Sequence, residues 1–265
     1  MQKKSKTMKT HTSHSLAVGI IGYGQFGQLI AKELSKFFDI FVYSNNHKKQ
    51  NKDSQKPDIQ FVELDFLLSN SDFIIPAIPV QYLENLLLKI KSKDIKQGAV
   101  FVDVASVKIY PKKLFCKYLS EYEYLCTHPI FGPQSVAKYG LKGSKIVLSD
   151  NNIQEDKYNK IKSFLQDTLG LEILEISAKQ HDKEMAQVQG ITHFLARVLD
   201  KLDLEKHKTS TKPYEHMLEL RDLLAKDSID LFLSIEKYNP YVKAQIDRFE
   251  KEFKLLYLAT FKQLD

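Results

Sequence analysis

Cysteine is scarce in this chain of 265 residues: Cys116 and Cys126 are the only two. No metal-ligand spacing surrounds them, so a disulfide scaffold and a zinc module are both excluded. The pair fits free thiols in a reducing, cytoplasmic compartment. Long hydrophobic runs are absent as well, and nothing in the chain is long and apolar enough to span a bilayer. No membrane partner is therefore expected. Residues 1–15 have no apolar core of the secretory type. Rich in Lys, Thr, Ser and His, they read as a disordered tail rather than a signal peptide. Signatures of RNA-binding, zinc-finger and helix-turn-helix modules are missing too. The net charge of +6 therefore does not point to nucleic acid. Its lysines are spread along the whole chain, as on a solvated surface, and such a surface suits an anionic substrate or cofactor.

What is present is alternation. Short apolar segments at Leu16–Ile21, Ile40–Tyr43, Phe73–Ile78, Ala99–Val104, Tyr124–Thr127, Lys145–Leu148 and Leu171–Ile176 read as buried strands. Helical periodicity fills Gln28–Phe37, Val80–Ile90, Pro111–Leu119 and Glu155–Leu169 between them. Ser44 to Asp58 is polar and reads as loop. This order predicts a Rossmann-like α/β unit, a doubly wound and mostly parallel sheet, over residues 16–177. After Ser177 strand signals stop. Ala186–Leu202, Tyr214–Tyr238 and Tyr241–Leu264 read as helices. The segment 178–265 is thus expected to be an all-α domain. It is too small and too apolar to stand alone, which predicts a homodimer through its helices.

The first strand runs straight into Gly22-Tyr23-Gly24-Gln25-Phe26-Gly27. A G-x-G-x-x-G between a buried strand and an amphipathic helix is a dinucleotide fingerprint. Gly22 permits the tight turn, Gly24 lets the backbone approach a pyrophosphate, and Gly27 lets helix and strand pack closely. The expected cofactor site is this turn, with Gln25 and Phe26, together with Ile78 at the end of a later strand. The second strand ends at Ser44 and Asn45, followed by His47, Lys48 and Lys49. An NAD site usually has Asp or Glu there to bond the ribose hydroxyls. A carboxylate would repel a 2′-phosphate, whereas Ser44, Asn45 and Lys48 can bind one, so NADP is expected over NAD.

Two further segments follow strands, where open α/β sheets bind ligands: Val102-Asp103-Val104-Ala105-Ser106-Val107-Lys108 and Cys126-Thr127-His128-Pro129-Ile130-Phe131-Gly132-Pro133-Gln134-Ser135. Gln180-His181-Asp182 opens the helical region, with His193 and Arg197 beyond it, four apart and so on one helix face. In order and from Leu16 onward, the motifs GYGQFG, VDVASVK, CTHPIFGPQS, QHDKEMAQVQGITHF and YEHMLELRDLLAKDSIDLF resemble those of the prephenate and arogenate dehydrogenases of tyrosine biosynthesis. That resemblance implies NAD(P)-dependent oxidative decarboxylation of prephenate to 4-hydroxyphenylpyruvate, or of arogenate to tyrosine. It implies that His128 is the catalytic base, with Ser106 bonding the substrate hydroxyl or orienting His128. Imidazole suits the task because it titrates near neutral pH. His181 and His193 fall on substrate-pocket positions, Gln134 and Ser135 follow the HPIFGP loop and are expected to face the substrate side chain, and Arg197 can clamp a carboxylate. No metal is needed.

The chain departs from the family pattern at Gln134, where many members carry an acid. It departs again at Asp222, near which bacterial prephenate-type enzymes place an arginine. Asp222, if it reaches the pocket, favours an ammonium, and the segment Tyr214–Phe232 is closest to arogenate-type members. Two other readings share the glycine fingerprint. A β-hydroxyacid or imine oxidoreductase would place a helical lysine beside His181 or His193, and none is there. A dinucleotide-sensing regulator would need no histidines.

Overall fold

The structure is a computed structural model and describes residues 16–45, 59–224 and 227–262. Its centre is an eight-stranded sheet in the order β3-β2-β1-β4-β5-β6-β7-β8. The strands are β1 Ala17–Ile21, β2 Asp39–Tyr43, β3 Ile59–Phe61, β4 Phe73–Pro76, β5 Val100–Asp103, β6 Glu123–Pro129, β7 Lys145–Asn151 and β8 Glu172–Glu175. All pairings are parallel except β6 with β7. The expected Rossmann-like architecture is therefore present, with strand order reversing outward from β1 and β4.

Two layers of helix cover the sheet. On one face α2 (Leu64–Asn70), α3 (Leu83–Ile90) and α4 (Ile109–Tyr118) bury Leu67, Leu68, Leu87, Ile90, Leu114 and Phe115 against Ile21, Ile74 and Phe101. Burial of several such side chains stabilises the layer by about 1.5–3 kcal/mol each. On the other face lie α1 (Gln25–Leu34) and α6 (Glu155–Ser163). Between them an apolar cleft of about 520 Å³ is lined by Phe26, Ile30, Phe73, Val102 and Phe164.

From α7 (Ala178–Met185) onward the described chain is helical. A π-helical stretch, Ala186–Ile191, joins α7 to α8 (Thr192–Asp200), and α9 (Lys212–Leu224), α10 (Ile229–Tyr238) and α11 (Val242–Phe261) follow. The long helix expected over 214–238 is in fact two. Ser228 caps α10, its hydroxyl accepting from the Leu231 N–H at 3.1 Å, and a serine offered a capping role favours starting a new helix over continuing the old. Among the described residues, four of these elements have no counterpart in the periodicity of the sequence: β3, α2, α5 (Pro133–Tyr139) and α7. Each is too short to show a repeat. Among the described residues, no helix is long and apolar enough to cross a membrane.

Candidate active site

The parallel strands β1, β4, β5 and β6 end on the same side of the sheet, and the motifs of the sequence meet there. At the end of β1 the glycine turn has the expected form. Gly22 has φ +105°, a conformation side chains resist, and a Cβ there would lie 2.5 Å from the Ala77 carbonyl oxygen. Ile78 also packs against it. Gly27 is shaped by contact: a Cβ would sit 2.3 Å from the Gly22 carbonyl oxygen. A Cβ on Gly24 would meet nothing, so the backbone there is open to a ligand. Gly24 is the N-cap of α1 and offers no side-chain cap. The first N–H groups of α1, at Gln25, Phe26 and Gly27, are thus available to a phosphate with the favourable end of the helix dipole behind them. These residues fit a dinucleotide pyrophosphate.

At the end of β2 no acid follows Tyr43. Ser44 is half-buried and Asn45 exposed, and the Tyr43 hydroxyl donates to Asn45 Oδ1 at 3.0 Å. Lys48 lies outside the described residues. The structure adds Lys89 of α3, whose Nζ donates to the Tyr43 hydroxyl at 3.4 Å. Nothing local in the sequence links it to β2.

His128 stands near the end of β6 and is only 2% exposed. Side chains alternate along a strand, so Thr127 and Pro129 border the apolar cleft while His128 faces away from it. That cleft is not where the histidines act. His128 Nδ1 is 2.8 Å from His181 Nε2, and His181 Nδ1 is 2.8 Å from Asp182 Oδ1. Asp182 also accepts the backbone N–H of Lys108 (2.7 Å) and of Ile109 (2.9 Å), the start of α4. With these donors aimed at it, Asp182 acts as an acceptor. The tautomers follow. His181 donates from Nδ1 to Asp182 and accepts at Nε2 from His128 Nδ1–H. His128 Nε2 keeps its lone pair. Burial, then His181 and Lys108, lowers the His128 pKa well below its ordinary value, and burial lowers that of His181.

This chain of bonds corrects one expectation. Ser106, half-buried after β5, has no hydrogen-bond partner among the described residues, so it does not orient His128; His181 does. Sequence reading also passed over the group that supports the strand. Lys108, fully buried, donates its Nζ to Asp103 and to the Thr127 carbonyl, and Thr127 Oγ1 donates to the Asp103 carbonyl at 2.7 Å. A buried ion pair thus clamps the ends of β5 and β6 one residue before His128. Burial raises the Asp103 carboxyl above its ordinary value despite Lys108. The signal for Asp103 and Lys108 was present only as charges set among apolar neighbours, and Asp182, between His181 and Lys183, carried no such signal.

On the helical side, His193 of α8 lies with Nδ1 3.7 Å from Asp227 Oδ2. Arg197 stacks its guanidinium 5.5 Å from the centre of the Phe232 ring and donates to the Asp227 carbonyl. The expected shared face of His193 and Arg197 is therefore real, and what it meets is Asp227. Burial and Arg197 push the His193 pKa down to about 4, so it is neutral near pH 7. Burial raises the Asp227 carboxyl. Asp222, in contrast, is 60% exposed and paired with Arg221 at 2.8 Å, so it does not reach the pocket. Gln134 is half-buried at the first turn of α5. Ser135 is spent on that turn, its hydroxyl bonding both the N–H and the carbonyl of Gly132 at 2.9 Å.

Residues 1–124 match the family model of the D-isomer specific 2-hydroxyacid dehydrogenase NAD binding domain, and residues 198–265 match the TYRAAT1-like C-terminal domain. Arogenate dehydrogenase 2, chloroplastic, of Arabidopsis thaliana is 30% identical over 99% of this chain and 74% of its own length. Arogenate dehydrogenase 1, chloroplastic, of the same plant is 34% identical over 94% of this chain, which spans only 40% of that relative. Among solved structures, prephenate dehydrogenase from A. aeolicus, in complex with hydroxyphenyl propionate and NAD+, superposes with a TM-score of 0.70 at 20% identity, covering 98% of this chain and 94% of that one. Synechocystis arogenate dehydrogenase superposes at 0.64 and 17% identity, covering 94% of this chain and 93% of that one. With the glycine turn, the buried His128 and the paired His181 at one end of the sheet, this extent of likeness shows that the chain belongs to the arogenate/prephenate dehydrogenase family.

Proposed function

We propose that this chain oxidises and decarboxylates arogenate or prephenate with NAD(P) as hydride acceptor. The observation that carries the reading is His128: a buried imidazole whose Nδ1 is bonded to His181 and whose Nε2 has no partner among the described residues, on the side of the sheet where the dinucleotide turn opens. The bound cofactor supplies hydride acceptance. His128 Nε2 takes the proton of the substrate hydroxyl as the carbinol C–H bond is broken, and Ser106, free of internal bonds, is positioned after β5 to bond the same oxygen. Loss of CO₂ then aromatises the ring, and His128 returns the proton to the ring oxygen. Burial keeps water from competing for that proton.

Arogenate is the favoured substrate. Its side chain carries an ammonium, and Asp227 places a carboxylate beside neutral His193, while Arg197 is engaged with the Asp227 carbonyl and Phe232. An assay of arogenate and prephenate, each against NADP and NAD, tests all four combinations. Reduced-cofactor absorbance with arogenate and NADP is expected to be strongest, and absence of turnover with both substrates overturns the reading. NADP is favoured because no acid ends β2. Ser44→Asp is expected to weaken NADP binding about tenfold or more through repulsion of the 2′-phosphate and to improve NAD binding. Titration of each cofactor by quenching of protein fluorescence checks this; equal loss for both would remove Ser44 from the site.

The helical segment pairs with a second copy. Helix α11 leaves Phe253 63%, Leu256 70%, Tyr257 55% and Phe261 56% exposed, a run of large apolar groups that single surface residues do not explain. Light scattering of the intact protein is expected to give twice the chain mass. Leu256→Asp is expected to reduce it to one, because a carboxylate in an apolar interface loses its hydration without a partner. A monomeric wild type contradicts the pairing.

A further inference from the structure

The buried histidines pose a problem of charge. If His128 keeps the proton it takes, an imidazolium forms where only 2% of the residue meets solvent. The cation of Lys108, bonded to the carbonyl of the preceding residue, stands close by. Among the described residues, no acid is hydrogen-bonded to His128. His181 differs: its far nitrogen is 2.8 Å from the Asp182 carboxylate. Transfer of a charge from an uncompensated to a compensated buried position is favourable by physics that needs no detail of the substrate.

We propose that His128 and His181 form a two-histidine proton relay in which the charge generated by substrate oxidation comes to rest on His181, with Asp182 as the positioning residue that sets its direction. This rests on the reaction proposed above. The step balances within the chain. As the substrate O–H bond breaks, an N–H bond forms at His128 Nε2. The His128 Nδ1–H bond breaks and its proton forms a bond to His181 Nε2. His128 ends neutral in its other tautomer, and His181, now holding both protons, carries the positive charge against Asp182. The electron pair of the carbinol C–H bond leaves as hydride to the dinucleotide. After CO₂ departs, the ring oxygen takes the proton back from His128 Nε2 and the relay runs in reverse, with no net proton released.

Asp182 does not itself take the proton. Its two oxygens accept the first N–H groups of α4, from Lys108 and Ile109, and a helix N-terminus stabilises the anion. Its position is held from the other side, where Asn239, the C-cap of α10, donates Nδ2–H to the Asp182 carbonyl at 2.8 Å. The charged groups that face the relay are thus Asp182 from α7, Lys108 from the start of α4 and Asp103 from β5. Burial and Lys108 disfavour a charged His181, while Asp182 and Asp103 favour it. For His128 every neighbouring influence opposes the charge.

Two variants separate relay from orientation. In His181→Gln the amide oxygen reaches the place of Nε2 and still accepts from His128 Nδ1–H, so His128 stays oriented, but the amide cannot take the proton. Loss of kcat by about 10²-fold or more, with KM and cofactor Kd nearly unchanged, is expected. In Asp182→Asn the imidazolium loses its counter-charge, so the acid limb of the kcat/KM profile moves to lower pH. A readout free of turnover is ¹⁵N NMR of the imidazoles in the intact protein, in which both His128 and His181 are expected to be protonated at Nδ1, with a low-field proton between His181 and Asp182 that vanishes in Asp182→Asn. His181→Gln with wild-type kcat and pH profile overturns the relay, and so does His181 protonated at Nε2 instead. If wild type turns over neither substrate while the tautomers are as stated, it is the reaction that fails and not the hydrogen-bond chain.

Discussion

His128→Asn is expected to lower kcat by about 10²–10⁴-fold while leaving the dinucleotide Kd unchanged. The asparagine amide overlays the Nδ1 edge of the ring, so its N–H still reaches His181 Nε2, now 2.8 Å from Nδ1. What disappears is Nε2, the one atom with a free lone pair. The variant thereby keeps the local bond and deletes the base, which makes it cleaner than alanine, whose cavity would disturb a side chain 2% exposed. Single-turnover kinetics with saturating cofactor, beside fluorescence titration of the cofactor, measures both quantities. Retained kcat removes His128 from proton transfer; a parallel loss of cofactor binding would mean that the turn at Gly22 has moved as well.

The second large effect concerns stability. Lys108→Met is expected to destabilise the fold by about 3–5 kcal/mol, because it leaves Asp103 buried without its cation. A loss of that size lowers Tm by roughly 10 °C in a chain of this length. The deficit depends on pH with a definite sign. Burial already raises the Asp103 carboxyl above its unfolded value, and removing Lys108 raises it further. Such a group favours the fold at low pH, where it is neutral in both states, and the benefit is lost as pH rises through the folded value. The variant's deficit is therefore smaller near pH 5 than near pH 8, measured by denaturant unfolding at both. Adding Asp103→Asn should recover much of the loss, since the buried charge is then gone. Equal stability across pH would show that Asp103 is not the group left exposed to the loss.

Much of the fold was legible because its signals are local. A buried parallel strand writes itself as a short apolar run and a surface helix as a 3.6-residue period, so seven strands were found within a few residues of their observed ends. The glycine turn was legible for the same reason: the positive φ of Gly22 and the contact of Gly27 with the Gly22 carbonyl belong to one strand–turn–helix unit, although the residues that crowd Gly22, Ala77 and Ile78, come from the end of β4. Missed elements lacked such signals. Strand β3 and helix α2 are brief, and the break before α10 is marked only by Asp227-Ser228. That break decided a functional question, because it turns Asp227 toward His193 and leaves Asp222 exposed and paired with Arg221.

By itself the sequence determined the alternating sheet, the dinucleotide turn with no acid at the end of β2, and the motifs that carry family membership, because each is encoded over a few neighbouring residues. Only the tertiary structure decided how the site is wired. His128 and His181 are 53 positions apart, yet they share a hydrogen bond. Asp182 is tied to Lys108 across 74 positions, and Lys108 is neutralised by Asp103 inside the core. Periodicity cannot reveal such pairs. Their partners are chosen by which strand ends and helix starts the sheet order brings together, and by the requirement that charges placed in the interior meet a counter-charge or a hydrogen bond there.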